Sequence, residues 1–276
     1  MTKGRLQLLA GVLLLGLAVR PNHAHALPEV DLERLTSPEV QALQARGWTT
    51  IIIPTGGTEQ NGPQLILGKH NVIVHHTADE IARRLGKTLV APVMAYVPEG
   101  NIDPAEGHMA SPGTISLSEP VFMAVLDASA RSFIATGFKT ILFIGDSGGN
   151  QTAQAAVATQ LDGVFKATGV RVFAIDDYYA ANGQVDWLKG EGESQADIGS
   201  HAGIRETSEL LAIDPAAVRR DLLVPGTGRQ ATDWEATDWE AWGASGRPER
   251  ASAERGRNLL ELKIEAALRQ IRRLVE

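Results

Sequence analysis

Apolar residues fall into two alternating rhythms along this chain. Short unbroken runs at residues 49–54 (TTIIIP), 88–92, 140–144 and 170–175 are separated by longer stretches in which apolar positions recur every three or four residues. The runs read as strands, and because they do not alternate with polar residues they predict a sheet covered on both faces. The stretches predict helices over residues 71–85, 119–136 and 151–167. A shorter helix precedes them, opened by Ser37-Pro38-Glu39 with proline at a first helical position and stopped at Arg46-Gly47. Strand and helix in alternation mean βαβ units. No break in composition divides the chain, so the expected α/β fold is one domain over residues 27–276, a three-layer α/β/α sandwich with a mostly parallel central sheet. The last helix, expected over residues 251–275, places Leu259, Leu260, Leu262, Ile264, Ala267 and Ile271 on a broad apolar stripe, as a helix packed on the core requires.

The first 26 residues belong to neither rhythm. Lys3 and Arg5 precede a 14-residue run, Leu6 to Val19, that is apolar apart from Gln7 and two glycines, and Ala24-His25-Ala26 has the small-x-small pattern of signal cleavage. The run is shorter than the roughly 20 residues a membrane span needs. Residues 1–26 are therefore expected to be a signal peptide cleaved after Ala26, leaving an exported, periplasmic protein with no stable membrane anchor. Removing Lys3, Arg5 and Arg20 makes the product more acidic than the full chain, whose net charge is −7. With 33 acidic against 26 basic residues, no electrostatic footprint for a polyanion exists, and nucleic acid is not an expected partner. The absence of cysteine excludes disulfide scaffolds and confines any metal to nitrogen and oxygen ligands.

In an open parallel sheet, ligands bind beyond the carboxyl ends of the strands. The polar residues following each strand are the place to look. The first strand is followed by a glycine-rich loop with Glu59 and Asn61, then Gly68-Lys69-His70-Asn71. Gly145-Asp146-Ser147-Gly148-Gly149-Asn150 follows the third, Glu106-Gly107-His108 and Ser111 to Ser116 lie between, and His201 to Ser208 (HAGIRETS) forms a further polar cluster. Gly148 and Gly149 at a strand-to-helix turn let backbone N–H groups approach an anion or a developing oxyanion. Each side chain also has an ordinary duty open to it. Asp146 can cap the following helix, His70 can bond backbone at a helix start, and His108 can be a solvated loop residue. His75 and His76, adjacent on a helix, point in different directions and are read as surface or core residues.

Taken together, these segments resemble the creatininase family of metal-dependent amidohydrolases, in the family's order and over most of the chain. Gly56 to His70 is similar to G-x-T-E-Q-H-G-P-H-L-x-L-G-T-D, Ser111 to Ser116 to F-P-G-T-I-S, Gly145 to Asn150 to N-G-H-G-G-N, and His201 to Ser208 to H-A-G-E-x-E-T-S. The resemblance implies an α/β/α sandwich, a homo-oligomer such as a hexamer, and hydrolysis of a C–N bond in a small-molecule amide or cyclic amide. It also implies a dinuclear metal site, and there this chain departs from the pattern. Glu59 matches a metal-binding glutamate, but Asn61 stands in place of a histidine, His70 in place of the bridging aspartate, Ser147 in place of a second histidine and Gly149 in place of a glutamate that some members use. In the last motif Ile204 replaces the first glutamate, while Glu206 keeps the second. A G-K-H-N and G-D-H-G-G variant is associated with exported creatininase-like proteins, which points to His70 and Asp146 as a subfamily's own ligands.

The resulting expectation is a single divalent metal, most simply Zn2+ with Mn2+ or Fe2+ as alternatives, held by Glu59, His70 and Asp146. His201 is expected to shuttle a proton and Glu206 to orient it. Asn61, Ser147, Gly148, Gly149 and His108 are candidates for contacting substrate or an oxyanion. The alternative, motivated by the substituted ligands, is an inactive protein of this fold that binds a small ligand or a partner. Gly145 to Gly149 also spells the nucleophile segment of chymotrypsin-like proteases, but those are β-barrels and need a histidine segment absent here. A Ser147 nucleophile with His201 as base is the remaining form of that idea. Finally, Ala231 to Glu235 (ATDWE) is repeated as Ala236 to Glu240 and followed by Ala241-Trp242. It reads as a tandem duplication in a loop, with Trp234, Trp239 and Trp242 as candidates for an aromatic flap near the pocket.

Overall fold

The computed structural model describes residue 1, residues 29–224 and residues 243–275. The expected signal peptide, apart from Met1, and the duplicated segment with Trp234, Trp239 and Trp242 lie outside the described residues.

Among the described residues, four parallel strands form the sheet: β1 (Thr50–Thr55), β2 (Thr88–Val90), β3 (Thr140–Gly145) and β4 (Arg171–Ala174), in the order β2-β1-β3-β4. Ile51 pairs with Leu89 on one side of β1 and with Ile141 on the other. The unbroken apolar runs are explained by what covers them. Ile51 and Ile53 of β1, with Ile141 and Phe143 of β3, face one core. Phe122, Leu126 and Ala130 of α3 (Glu119–Ala135) and Val157 and Leu161 of α4 (Gln151–Phe165) belong to it too. Ile52, Leu142 and Ile144 face the opposite core, with Val74, Ala78 and Ile81 of α2 (Lys69–Leu85) and Ile264, Leu268 and Ile271 of α8 (Ala253–Val275). Successive strand residues point to opposite faces, and both faces are buried. The sandwich has the three layers expected.

The remaining helices are α1 (Ser37–Gln44), with Thr36 and Glu39 in a reciprocal capping box, and α5 (Gln184–Gly190), α6 (Gln195–Ile198) and α7 (Ile204–Ile213). The last three fill a stretch for which sequence periodicity predicted no element. Two helix starts bring polar side chains to the sheet end. Helix α2 starts at Lys69 rather than at Asn71, which places Lys69 and His70 in its first turn. The HAGIRETS segment is a tight turn leading into α7, so Glu206 sits on a helix whose start faces the sheet end.

The chain order creates the site. From β1 the chain passes through α2 to β2 on one side, and then through α3, on the other face, to β3 on the opposite side of β1. Connections that diverge from neighbouring strands leave a crevice beyond their carboxyl ends. The loop after β1 and the turn after β3 meet there. Asn150 fixes them together, its amide nitrogen donating to Thr55 Oγ1 (2.9 Å) and to the Gly56 carbonyl (2.8 Å).

Candidate active site

A cavity of about 400 Å³ opens beyond β1 and β3, with Glu59, His70, Glu99, His108, His201 and Glu206 among its lining side chains. Ser147, Gly148, Gly149 and Tyr179 contribute another part of its wall. Asn61 does not line it. Its amide nitrogen donates to the carbonyls of Glu59, Ile66 and Leu67 (2.9, 3.1 and 3.3 Å), bracing the loop that carries Glu59. His75 and His76 are not among the lining residues either, and His75 is exposed.

Glu59, His70 and Asp146 come together as a row, not as a cage around one point. His70 Nε2 lies 2.9 Å from Glu59 Oε1, and Nδ1 lies 2.7 Å from Asp146 Oδ2. The imidazole thus spans the two carboxylates and keeps them on opposite edges of its ring. Burial and the Lys69 ammonium oppose a charge on His70, yet Glu59 and Asp146 raise its pKa to about 9. An imidazolium donates two hydrogen bonds and has no lone pair for a metal. Asp146 is engaged on its other side as well. Oδ1 accepts from Lys263 Nζ (2.6 Å) and from the Tyr178 hydroxyl (2.9 Å), so that Lys263 and His70 outweigh burial and hold the carboxylate far below its usual range. Asp146 is neither a helix cap nor a wall of the cavity, but the acid of a buried ionic network.

A different group of donors converges. Among the described residues, Glu59, His108 and His201 are the set of three whose ligand atoms lie within 4.8 Å of one another. His108 Nε2 stands 3.2 Å from Glu59 Oε2 and His201 Nδ1 stands 3.7 Å from Glu59 Oε1. Tetrahedral ligands at bond lengths of about 2.0 to 2.1 Å stand roughly 3.4 Å apart, which these spacings bracket. The chemistry of His201 agrees with the geometry. Its Nε2 lies 2.9 Å from the Gln60 carbonyl, which can only accept, so Nε2 carries the proton. Burial and Lys69 lower its pKa to about 4, so the ring is neutral and Nδ1 presents a bare lone pair toward the Glu59 carboxylate. Two acceptors facing each other call for a cation between them, and an N–H bonded to a backbone carbonyl is the usual orientation of a metal-binding imidazole. His108 is likewise lowered by burial, the attraction of Glu59 notwithstanding. The residues present therefore fit one divalent ion.

The turn before α7 aims His201 into the cavity. Ala202, the next residue, is held at φ 48°, a left-handed conformation that costs a residue other than glycine about 1 to 2 kcal/mol. Its N–H donates to Glu206 Oε2 at 2.5 Å, and Glu206 in turn pairs with Lys69 Nζ at 2.9 Å. Burial works against the Glu206 charge, but Lys69 and His70 hold the carboxyl far below its ordinary pKa. Glu206 thus orients the backbone beside His201 rather than the imidazole itself. The Ser147 nucleophile finds no base in His201, whose Nε2 is bonded to the Gln60 carbonyl and whose Nδ1 faces Glu59.

Two side chains of the site drew no attention in the sequence. Lys69 is fully buried and lies 3.3 Å from Glu59 Oε1. Burial alone would raise the Glu59 pKa, but Lys69 and His70 bring it well below the ordinary value. Glu99, in the loop after β2, faces the cavity against Gly57, where an added Cβ would meet Glu99 Oε1 at 2.1 Å. Only glycine leaves room for that carboxyl. Burial, followed by the charge and hydrogen bond of Glu59, pushes the Glu99 pKa up to about 9. In the sequence Lys69 stands out only as part of the Gly68-Lys69-His70-Asn71 segment, and Glu99, in the loop after β2, lies in none of the motifs.

The family model for creatinine amidohydrolase matches residues 33–271. A mycofactocin precursor peptide peptidase of Mycolicibacterium smegmatis is 30% identical over 181 residues, covering 64% of this chain and 62% of that protein. Its counterpart from Mycobacterium tuberculosis (strain H37Rv) is 28% identical over 244 residues, 81% of this chain and 85% of the relative. A 3-dehydro-scyllo-inosose hydrolase of Thermotoga maritima is 26% identical over 175 residues, 63% of this chain and 53% of that protein. The M. smegmatis and T. maritima matches thus span less than two thirds of the relatives' own length. Among solved structures, a manganese form of creatininase superposes with a TM-score of 0.70 at 24% identity, covering 89% of this chain and 98% of the other. A mutant creatininase of Zn-Zn type gives the same figures, 0.70, 24%, 89% and 98%, and these likenesses establish the fold. With four motifs in order, the parallel sandwich and a family match over nearly the whole described chain, the protein belongs to the creatininase family.

Proposed function

We propose that the chain is a metal-dependent hydrolase that cleaves a C–N bond of a small polar amide or cyclic amide. Glu59, His108 and His201 hold one divalent ion, zinc being the simplest choice for two imidazoles and a carboxylate, with manganese or iron as alternatives. The observation that carries this reading is the bare Nδ1 lone pair of His201 aimed at the Glu59 carboxylate, 3.7 Å away. A bound ion of this kind acidifies a water and polarises a carbonyl oxygen. The rest of the work falls to the chain. Glu99 faces the cavity, and in the metal-free chain burial and the adjacent Glu59 carboxylate raise its pKa to about 9, which suits a group that protonates a departing nitrogen. The Ser147 and Tyr179 side chains and the Gly148-Gly149 turn at the start of a helix line another part of the cavity wall and serve to bind substrate oxygens. Such a wall suits a compact polar molecule. The relatives' names, a peptide peptidase and a cyclitol-derivative hydrolase, mark how widely substrates diverge on this fold, so a panel for this chain includes short peptides and ring ketones beside cyclic amides.

A second reading has its own observation. Lys69 and His70 already neutralise Glu59, an arrangement that holds together in a catalytically inactive ligand-binding protein. One experiment separates the two readings. Protein purified without chelator and assayed for zinc, manganese and iron is expected to carry one ion per chain and to lose hydrolysis of a panel substrate when a chelator removes it. Absence of metal, with no hydrolysis after adding any of the three, overturns the enzymatic reading in favour of the binding protein. Export to a periplasm and assembly into a homo-oligomer complete the proposal.

A further inference from the structure

The first turn of α2 carries a lysine where helix electrostatics favours no cation. Lys69 and His70 follow the N-cap Gly68, and no acidic residue stands in that turn. The positive end of a helix disfavours a cation. Lys69 is also fully buried, and taking an ammonium out of water costs several kcal/mol unless good partners surround it. Neither helix stability nor apolar packing accounts for a lysine here. Two carboxylates do: Nζ lies 3.3 Å from Glu59 Oε1 and 2.9 Å from Glu206 Oε2. The two acids belong to different elements, the loop after β1 and the helix α7, and one of them is also a donor of the Glu59, His108 and His201 set. A positive charge shared between buried carboxylates, one of which also faces a second donor set, is the layout of a bridged two-cation centre. Here one of the cations is tethered to the chain.

We infer that Lys69 Nζ is the resident cation of this centre, occupying the place between Glu59 and Glu206 that a second divalent ion would otherwise take, so that the protein loads one exchangeable ion. The inference rests on the metal-dependent reading for the ion at Glu59, His108 and His201. It adds that the count of one is set by Lys69. Replacing the ammonium with a short neutral side chain leaves two buried carboxylates without their shared counter-charge and frees the volume that the lysine filled. A second divalent ion then has both ligands and space.

The test is a metal count on full-length protein stripped with chelator, titrated with Zn2+ or Mn2+ by calorimetry and checked by elemental analysis after dialysis. Wild type is expected to retain one ion per chain and Lys69→Ser two, with the thermal midpoint of the variant rising more on metal addition than that of wild type. Equal counts in wild type and variant overturn the inference, as does a wild type that holds two. The difference between the two proteins reports on Lys69, whereas the wild-type count reports on the proposed function. A wild type with no ion beside a variant with one therefore sinks the function and leaves the role of Lys69 standing. Should Lys69→Ser not fold without metal, it is refolded in the presence of Zn2+, and Lys69→Gln, close to lysine in length, is counted beside it. If neither variant holds an ion beyond the wild-type number, the inference is overturned.

Discussion

At His201 one backbone carbonyl decides what the imidazole can do. Because Nε2–H donates to the Gln60 backbone carbonyl, Nδ1 is left as an acceptor facing Glu59. His70 is the opposite case, since carboxylates on both edges of its ring make it a cation. The two histidines therefore answer differently to mutation. His201→Ala is expected to lower the affinity for zinc at least about a hundredfold, since it removes a proposed direct ligand where loss of a mere supporting group costs 10 to 100-fold. Asp146→Asn is expected to leave the metal count unchanged while destabilising the fold by about 3 to 5 kcal/mol, because Lys263 and His70 lose their shared counter-charge. Zinc titration and urea unfolding on the same two variants check both statements. Glu59, His108 and His201 were each visible in the sequence as polar residues near strand ends. Their grouping was not, because it depends on which edge of each ring is occupied, and that is settled by Gln60, 141 residues from His201 along the chain, and by Asp146, 76 residues from His70. Lys69 and Glu99 were missed for a related reason. In a one-dimensional pattern a lysine or a glutamate in a loop counts as solvated, and only the folded chain reveals that both are buried.

Helices α2, α7 and α8 turn these residues into a site. The stripe on α8 was legible from its period, and Leu259, Leu260, Ile264, Ala267 and Ile271 are buried as it predicts, whereas Leu262 is only half-buried. Lys263 takes part of the buried face instead, reaching Asp146 Oδ1 at 2.6 Å and Glu209 Oε1 at 3.4 Å. Periodicity treats a lysine as an outward position, so the link between the last helix and the site could not be read from it. Lys263→Met is expected to cost about 3 to 5 kcal/mol by leaving Asp146 buried without its closest cation, measurable as a shift in urea midpoint at constant slope. Close packing of α7 on α8 sets a second limit. A Cβ on Gly256 would meet the Ser208 carbonyl oxygen at 1.8 Å. Gly256→Ala is therefore expected to destabilise by about 1 to 3 kcal/mol through forced separation of the two helices, despite the better helix propensity of alanine. Equilibrium unfolding of that variant at or above wild-type stability would show that the helices can part freely. The strands were the most legible elements, because a run buried on both faces needs no partner to be recognised. The start of α2 was less so, since Gly68 offers no side-chain cap to mark it.

For the whole molecule, the buried charges define a pH window in metal-free protein. His70 titrates at about 9 when folded against an ordinary 6.5, so its contribution is complete below pH 6.5 and is lost as pH rises through 9. Glu99, raised to about 9 from 4.5, contributes in the same direction, with stability declining from pH 4.5 upward. His201 is lowered to about 4 from 6.5, so its contribution is present above pH 6.5 and is lost as pH falls through 4. Between pH 4.5 and 6.5 Glu99 and His201 oppose each other, and above 6.5 His70 and Glu99 decline together. Thermal unfolding in chelator is expected to show a midpoint that levels off between about pH 4.5 and 6.5, where the two cancel, and a falling alkaline limb that Glu99→Gln makes shallower. A midpoint that rises from pH 6.5 to 9 would contradict this. Fold and family were legible because four motifs in order need only the chain, whereas the occupancy of the centre depends on contacts between segments far apart in sequence. The most direct test of that centre is diffraction at the metal absorption edge from crystals grown with zinc. One anomalous peak per chain is expected, within about 2.0 to 2.2 Å of donors from Glu59, His108 and His201; no peak, or a peak bound instead by His70 and Asp146, would contradict a metal centre built on those three residues.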